Sequence, residues 1–342
     1  MKTYKVTFTP MEPYFFGNEK GFKYPVAKSD MVKTEQNGKS QFTNMYYIKS
    51  ESLPSQSTLL GALRYHFLPV KKSSWDYDET DKKTNADAVG TESFSPDRDR
   101  TFGKIKKISP MFICNDKDIL VRVPMNHRNG KTVYTPFENF EMMMTPFGER
   151  WYTSEYNAKD GVCSDYMKLS DGSIVDCSEI FETEIRIGIN RRVNENGFFK
   201  KEYSMLHKGY SFGVYIELED GLDVNNGIVF LGQGKSAFAL EFTEEDNTLT
   251  EAVERYLPEG VAYCCGDVFV GPEIYENSKF SVTDTKTYRA YSRQGARVRK
   301  DSVLYRVITA GSIFIPIDKE AFVTSIKKDN LNIIGYNEII VK

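Results

Sequence analysis

Several kinds of chemistry are excluded by what this chain lacks. Its 342 residues hold five cysteines, Cys114, Cys163, Cys177, Cys264 and Cys265, with no C-x-x-C pair among them. An odd, irregularly spaced set fits a reducing compartment and buried thiols, not a disulfide framework or a zinc site. The three histidines, His66, His127 and His207, stand far apart, with no H-E-x-x-H or His-Asp doublet. No metal and no cofactor is therefore expected. No apolar run approaches the roughly 20 residues that cross a bilayer. The start, MKTYKVTFTPMEP, lacks the apolar segment of a signal peptide. A soluble, cytoplasmic protein with no membrane partner is predicted.

A nucleotide-gripping loop is missing too, although residues 228–240, IVFLGQGKSAFAL, imitate one. A P-loop needs G-x-x-x-x-G-K-[ST], because four residues between the glycines let backbone N–H groups wrap the phosphates. Here Val229 stands where the first glycine belongs. The loop must also open a helix whose N-terminus faces the anion. After Lys235 the apolar residues Phe238, Leu240 and Phe242 alternate instead, which is a strand period. Strand, Gly-x-Gly, strand predicts a β-hairpin. A second Gly-Lys-Ser at 38–40 has Lys33 in the first-glycine position.

What the chain does contain is aromatic residues and unevenly placed charge. Its 21 tyrosines and 23 phenylalanines suit half-buried sheet faces. The net charge of −3 hides a basic stretch, 286–306. It carries Lys286, Arg289, Arg293, Arg297, Arg299, Lys300 and Arg306 against one acid, Asp301, with Tyr288 and Tyr291 interleaved. A second basic stretch holds Arg186, Arg191, Arg192, Lys200, Lys201 and Lys208 around a turn at 194–197. Two such segments on a mildly acidic chain point to a local polyanion site. The arginine-rich one favours phosphate, because guanidinium binds oxygens in pairs. The competing reading is a solvated charged face.

Along the chain, Tyr4, Val6 and Phe8 alternate in an opening strand that stops at Pro10. Leu59, Leu60, Leu63 and Phe67 share one face of a helix capped by Ser57 and Thr58 and ended before Pro69. Residues 71–100 are polar without apolar period and predict a mobile insertion. A hairpin is expected around residues 115–118, and an irregular protrusion over 137–180. Met142, Met143 and Met144 in that protrusion read either as core filler or as an adaptable contact surface. A hairpin around 184–199, a strand over 212–218 and a helix over 247–256 follow. Strand-like stretches at 303–317 and a strand pair over 332–341 close the chain. This order predicts an α+β protein of two ferredoxin-like (RRM-like) β-α-β-β-α-β domains with antiparallel sheets. Their bounds are 1–180, with insertions at 71–100 and 137–180, and 181–342.

Five motifs then line up with a known family. Thr9-Pro10-Met11-Glu12-Pro13-Tyr14-Phe15-Phe16-Gly17 resembles the T-P-x-x-P-x-F-F-G opening of the third-subunit family of the Cmr complex. That complex is the type III-B CRISPR effector, and this family is its group-5 RAMP component. The P-S-x-x-T-x-x-G-A-L-R first helix is matched by residues 54–64, and the glycine hairpin by Ile187-Gly188-Ile189 with Asn196-Gly197-Phe198-Phe199. Leu231-Gly232-Gln233-Gly234-Lys235 is similar to the L-G-G-x-[RK] turn, with Gln233 replacing a glycine. Ala310-Gly311-Ser312-Ile313-Phe314 is similar to the A-G-S-[VI]-[FY] strand. The ending Gly335-Tyr336-Asn337 departs from the commoner glycine-rich form.

The resemblance implies a non-catalytic scaffold. It implies partners: the 5′ handle of the CRISPR RNA (crRNA), a large polymerase-like subunit, backbone RAMP subunits and, indirectly, target RNA. A single-stranded RNA end needs guanidinium–phosphate contacts, aromatic stacking and close backbone approach at glycines. The phosphate candidates are Arg289, Arg293, Arg297, Arg299 and Arg306, with Arg191, Arg192, Arg64 and Lys235. Tyr288 and Tyr291 are candidate stacking platforms. Gly232, Gly234 and Gly311 are the candidate glycine loops. Ser57 and Thr58 sit where a helix N-terminus favours a phosphate; a plain helix cap is the alternative. Phe15 and Phe16 read as core or interface residues, and 137–180 as a wedge against the guide–target duplex. The enzymatic rival is a metal-independent repeat endoribonuclease of the same superfamily, with His66 as general base and Tyr65 and Arg64 beside it. A type III-A or III-D counterpart and an RNA-free interaction module also stay open.

Overall fold

The opening strand forms where the alternation predicts it, at Lys2–Pro10, with Val6 and Phe8 fully buried. It runs through the middle of a nine-stranded sheet, antiparallel to Ser211–Leu218 on one side and Ser236–Glu244 on the other. Gly227–Leu231 closes one edge. Towards the other edge lie Phe112–Cys114, Ile119–Arg122, Tyr166–Lys168 and Ile174–Val175, and Ile105–Ile108 adds to Ser211–Leu218. The structure, a computed structural model, describes residues 1–342 except 18–21, 24–32, 37–38, 43–45, 73–75, 158, 160, 190–197, 233, 295–296 and 301–302.

The helix read from Leu59, Leu60 and Leu63 spans Gln56–His66, and its cap is Ser55, not Ser57 or Thr58. The Ser55 hydroxyl accepts the Thr58 N–H at 3.3 Å. Leu59, Leu60, Leu63 and Phe67 are buried against the sheet. Each such side chain contributes about 1.5–3 kcal/mol of apolar burial. Strands from both sides of residue 180 share this one sheet, so it crosses the expected division between halves.

Three expectations need correcting. Residues 71–100 hold a helix, Glu79–Val89, with an Asp78–Asp81 capping box. It lacks a full apolar face, yet Ala88, Val89 and the following Phe94 are buried in the main core. Two or three apolar residues at one end of a polar segment suffice to dock it, and the periodicity test misses them. The stretch 137–180 is also more regular than expected. It carries a two-stranded ribbon, Glu141–Thr145 with Gly148–Tyr152, and then returns to the main sheet. Met142, Met143 and Met144 on that ribbon are exposed, as is Phe147 at its turn, which rules out core filler. At the C-terminus the expected strand pair is a short helix, Asp329–Asn332, followed by one strand, Ile339–Val341.

A second sheet is built on the hairpin Phe181–Ile189 and Phe198–Leu206. It continues through a parallel pairing with Tyr46–Lys49 and then Phe22–Lys23. The last 80 or so residues form a third, wholly antiparallel sheet with connectivity strand Ala262–Cys264, helix Glu273–Glu276, strand Ser278–Val282, strand Ile313–Pro316, helix Lys319–Ile326, strand Ile339–Val341. Numbered in chain order, its strands lie 2-3-1-4. The fold is α+β with mostly antiparallel sheets and few helices. Among the described residues no helix is long and apolar enough to cross a membrane.

Candidate nucleic-acid interface

Between the second and third strands of that last sheet the chain leaves the sheet as a narrow arm. Thr285–Tyr288 pairs with Tyr305–Ile308 at the root, and Tyr291–Gln294 pairs with Arg297–Lys300 further out. Neither pair adds to a larger sheet. The arm contains the whole arginine-rich segment. Opposed residues share a face and residues two apart share a face. Register therefore puts Arg297 and Arg299 at positions of one face, with Tyr291, Arg293 and Lys300 at positions of the other. Of Tyr291, Arg293, Arg297 and Arg299 the strands are described and the side chains are not.

At the root the side chains are fixed. Tyr288 packs edge-on against Phe269 at 5.1 Å and Tyr336 at 6.0 Å. Its hydroxyl donates to Ser57 Oγ at 3.1 Å, and burial pushes that hydroxyl's pKa up. Tyr305 meets Phe269 at 5.7 Å and donates its hydroxyl to the Asp97 carboxylate. Lys286 pairs with Asp267 at 2.7 Å. Arg289 is half-buried at the bend, and Arg306 is exposed. Of the two tyrosines expected to stack bases, Tyr288 is therefore a packing residue: its ring belongs to an aromatic cluster that joins the arm to the first helix.

Other expected contacts are engaged inside the fold. Arg64 donates from Nε to Val89 O at 2.7 Å, and from its two terminal nitrogens to Glu92 O and Gly90 O, both at 2.8 Å. It lies over the Phe102 ring at 5.5 Å, and desolvation lowers its pKa. A guanidinium held by three carbonyls at a helix C-terminus is a structural clamp, not a phosphate contact. Ser57 has Tyr288 and Ser55 as partners, and Thr58 has Ser55. Gly311 has φ +92, and a Cβ there would meet Val123 O at 3.1 Å, so its turn is wedged against the main sheet. Gly232 has φ +75 and abuts Phe15 O, in the hairpin turn predicted between Gly227–Leu231 and Ser236–Glu244. In the same turn Gly234 and Lys235 are exposed, Lys235 with φ +52. Arg191 and Arg192 lie outside the described residues.

His66 is half-buried, stacked on Phe242 at 5.4 Å, and desolvation lowers its pKa. Arg186 and Lys201 of the second basic segment are turned onto aromatic rings. Lys201 Nζ lies 3.9 Å over Phe15, and Arg186 lies 4.7 Å over Tyr203 while pairing with Glu184 at 2.7 Å. Phe15 and Phe16 themselves are buried. Two residues that the sequence did not single out, Phe269 and Lys328, lie beside Arg306 in a cleft at the arm's root. Their separation along the chain gave no signal; only the connectivity of the last sheet brings them together. Among the described residues no group of three His, Cys, Asp or Glu side chains is placed to hold a metal ion.

No family model matches this chain, and no curated protein matches it. Solved structures do share its fold. One is a chain of a type III-B Cmr-beta assembly bound to cognate target RNA, with a TM-score of 0.50 and 15% identity, covering 98% of this chain and 96% of that one. Another comes from Cmr-beta bound to cognate target RNA and AMPPnP, with a TM-score of 0.51 and 14% identity, covering 98% and 95%. At such identities the likeness is one of fold.

Proposed function

We propose that this chain is a non-catalytic RNA-binding scaffold subunit of a type III-B CRISPR effector, of the third-subunit, group-5 RAMP kind. It holds the 5′ handle of the crRNA and links the large polymerase-like subunit to the backbone subunits. The observation that carries the reading is the fold match to chains of an RNA-bound Cmr-beta assembly, which spans nearly the full length of both partners. The chemistry is supplied by the arm of residues 285–308. A two-stranded ribbon with cationic positions on both faces suits a flexible single strand, whose phosphates turn in several directions. In this reading the last sheet is a ferredoxin-like unit, and the nine-stranded sheet contains the second. The exposed ribbon Glu141–Tyr152, with Met142, Met143, Met144 and Phe147, is the wedge against the guide–target duplex. Adaptable methionines suit that surface.

The test is purification of the tagged chain from its native cells, with sequencing of bound RNA. Short RNAs sharing one constant 5′ end, together with a large subunit and repeated smaller ones, are expected. A chain recovered alone and free of RNA removes the scaffold reading.

A further inference from the structure

At the foot of the arm the structure holds a cleft of about 120 Å³. Pro96, Phe269, Val270 and Tyr305 give it apolar and aromatic walls, and Arg306 and Lys328 stand on its rim. Both cations are exposed, and among the described residues neither has an ion-pair partner. Asp97 lines the same cleft, with one carboxylate oxygen taking the Tyr305 hydroxyl. A carboxylate has about four acceptor sites, so one such bond leaves it able to accept more.

We propose that this cleft is a single-base subsite of the RNA-binding surface, receiving one unstacked base beside Tyr305 while Arg306 and Lys328 hold the adjoining phosphate. The proposal rests on the RNA-scaffold reading above and adds to it which base is read. Size decides the ligand class first. Sites for drug-sized molecules run to about 300–1,000 Å³, so this cleft takes one flat ring system and no more. Charge then favours a nucleotide. Arg306 and Lys328 attract a phosphate, and Asp97 offers an acceptor to a base edge. A base seated this way points its Watson–Crick edge at an acceptor, so a base with an exocyclic amine is favoured over uracil. RNA-binding proteins read splayed bases in this manner, by stacking and edge hydrogen bonds.

The experiment uses the purified full chain and short fluorescent oligo(A), oligo(C) and oligo(U) RNAs across a salt series. Oligo(A) and oligo(C) are expected to bind about fivefold tighter than oligo(U), the scale of one net hydrogen bond. Asp97→Ala is expected to remove that preference. Arg306→Ala with Lys328→Ala is expected to keep it while flattening the log–log salt slope by about 0.7, the contribution of one single-strand phosphate. Val270→Phe, which fills the cleft, supplies a second route to losing the preference if Asp97→Ala unfolds; circular dichroism checks each fold. Wild type that binds all three RNAs equally, with an unchanged salt slope in the double variant, overturns the subsite and leaves the scaffold reading intact. Wild type that binds none of them overturns both.

Discussion

Arg64 and the arginines of the arm look alike in sequence and stand on very different elements. Arg64 sits on a helix that is packed on a nine-stranded sheet, and its nitrogens are held by the carbonyls of Val89, Gly90 and Glu92 at and just beyond the end of Glu79–Val89. The arm of residues 285–308 is two separate two-stranded pairs, anchored at its root through Tyr288 and Tyr305. Guanidinium groups near a dense core find backbone acceptors, because unsatisfied carbonyls at a helix end are costly. The arm instead gathers arginine positions on both faces of a two-stranded ribbon, the arrangement proposed above to meet an external polyanion. The difference separates stability from binding, and each prediction below tests that separation.

The strongest test is on the side of the fold. Gly335 has φ +83, and a Cβ there would lie 2.1 Å from Gln56 Nε2 and 2.5 Å from Ser109 O. Gln56 Nε2 also donates to Ser109 O and Ile334 O, both at 2.7 Å, so this turn ties the last sheet to the first helix. Gly335→Ala should cost about 3–4 kcal/mol, from positive-φ strain plus displaced backbone contacts. Chemical denaturation measures it. A loss below about 1 kcal/mol means that the turn relaxes and that the two units are joined loosely.

Arg64→Ala should come next, at about 3 kcal/mol, since bonds to a charged donor are worth about 1.5–3 kcal/mol each but do not add fully. RNA affinity of the folded fraction should stay within a factor of two. A variant that folds normally yet binds RNA poorly puts Arg64 back among the RNA contacts. The mirror-image experiment is Arg293→Ala with Arg297→Ala and Arg299→Ala. Stability should move by less than about 0.5 kcal/mol, because the ribbon they sit on adds to no larger sheet. The log–log salt slope of RNA binding should flatten by about 2, at roughly 0.7 for each lost phosphate contact. If affinity and slope hold instead, the site belongs to the other basic hairpin, around Arg191 and Lys201.

These cases also show what was legible in the sequence and what was not. Alternation around Val6 and the Leu59–Leu63 spacing located a strand and a helix because each buries one continuous face. The GQG turn was legible as a hairpin because strand period follows Lys235. Residues 71–100 were misread because their docking rests on Ala88, Val89 and Phe94, too few to make a period. Arg64 was read as a free cation because nothing local shows that a carbonyl cage will close over it. Ser57 was read as a free cap, while its hydroxyl partner, Tyr288, lies 231 positions away. The cleft of Phe269, Arg306 and Lys328 depends on the 2-3-1-4 strand order, which no single stretch encodes. The basic stretch 286–306 was legible from charge alone, but its pairing into a two-stranded arm was not.

His66 gives the smallest effect and the sharpest test of the enzymatic rival. The imidazole is half-buried on Phe242, and burial lowers its pKa below the ordinary 6.5. His127 is lowered for the same reason. In both cases the unfolded chain takes up a proton first as pH falls, so stability is full above about pH 6.5 and declines below it. Wild type should thus lose stability on acidification from pH 7, and His66→Phe should lose slightly less over the same range. A general base for RNA cleavage would have to reach a 2′-OH from this packed position, where the ring already hydrogen-bonds the Asn225 backbone. Incubating repeat RNA with excess protein, without metal, should leave it intact for wild type and His66→Ala alike. Cleavage by wild type that vanishes in His66→Ala would convert the first helix from scaffold to active site, and the comparison between buried and exposed cations would then describe an enzyme's substrate arm.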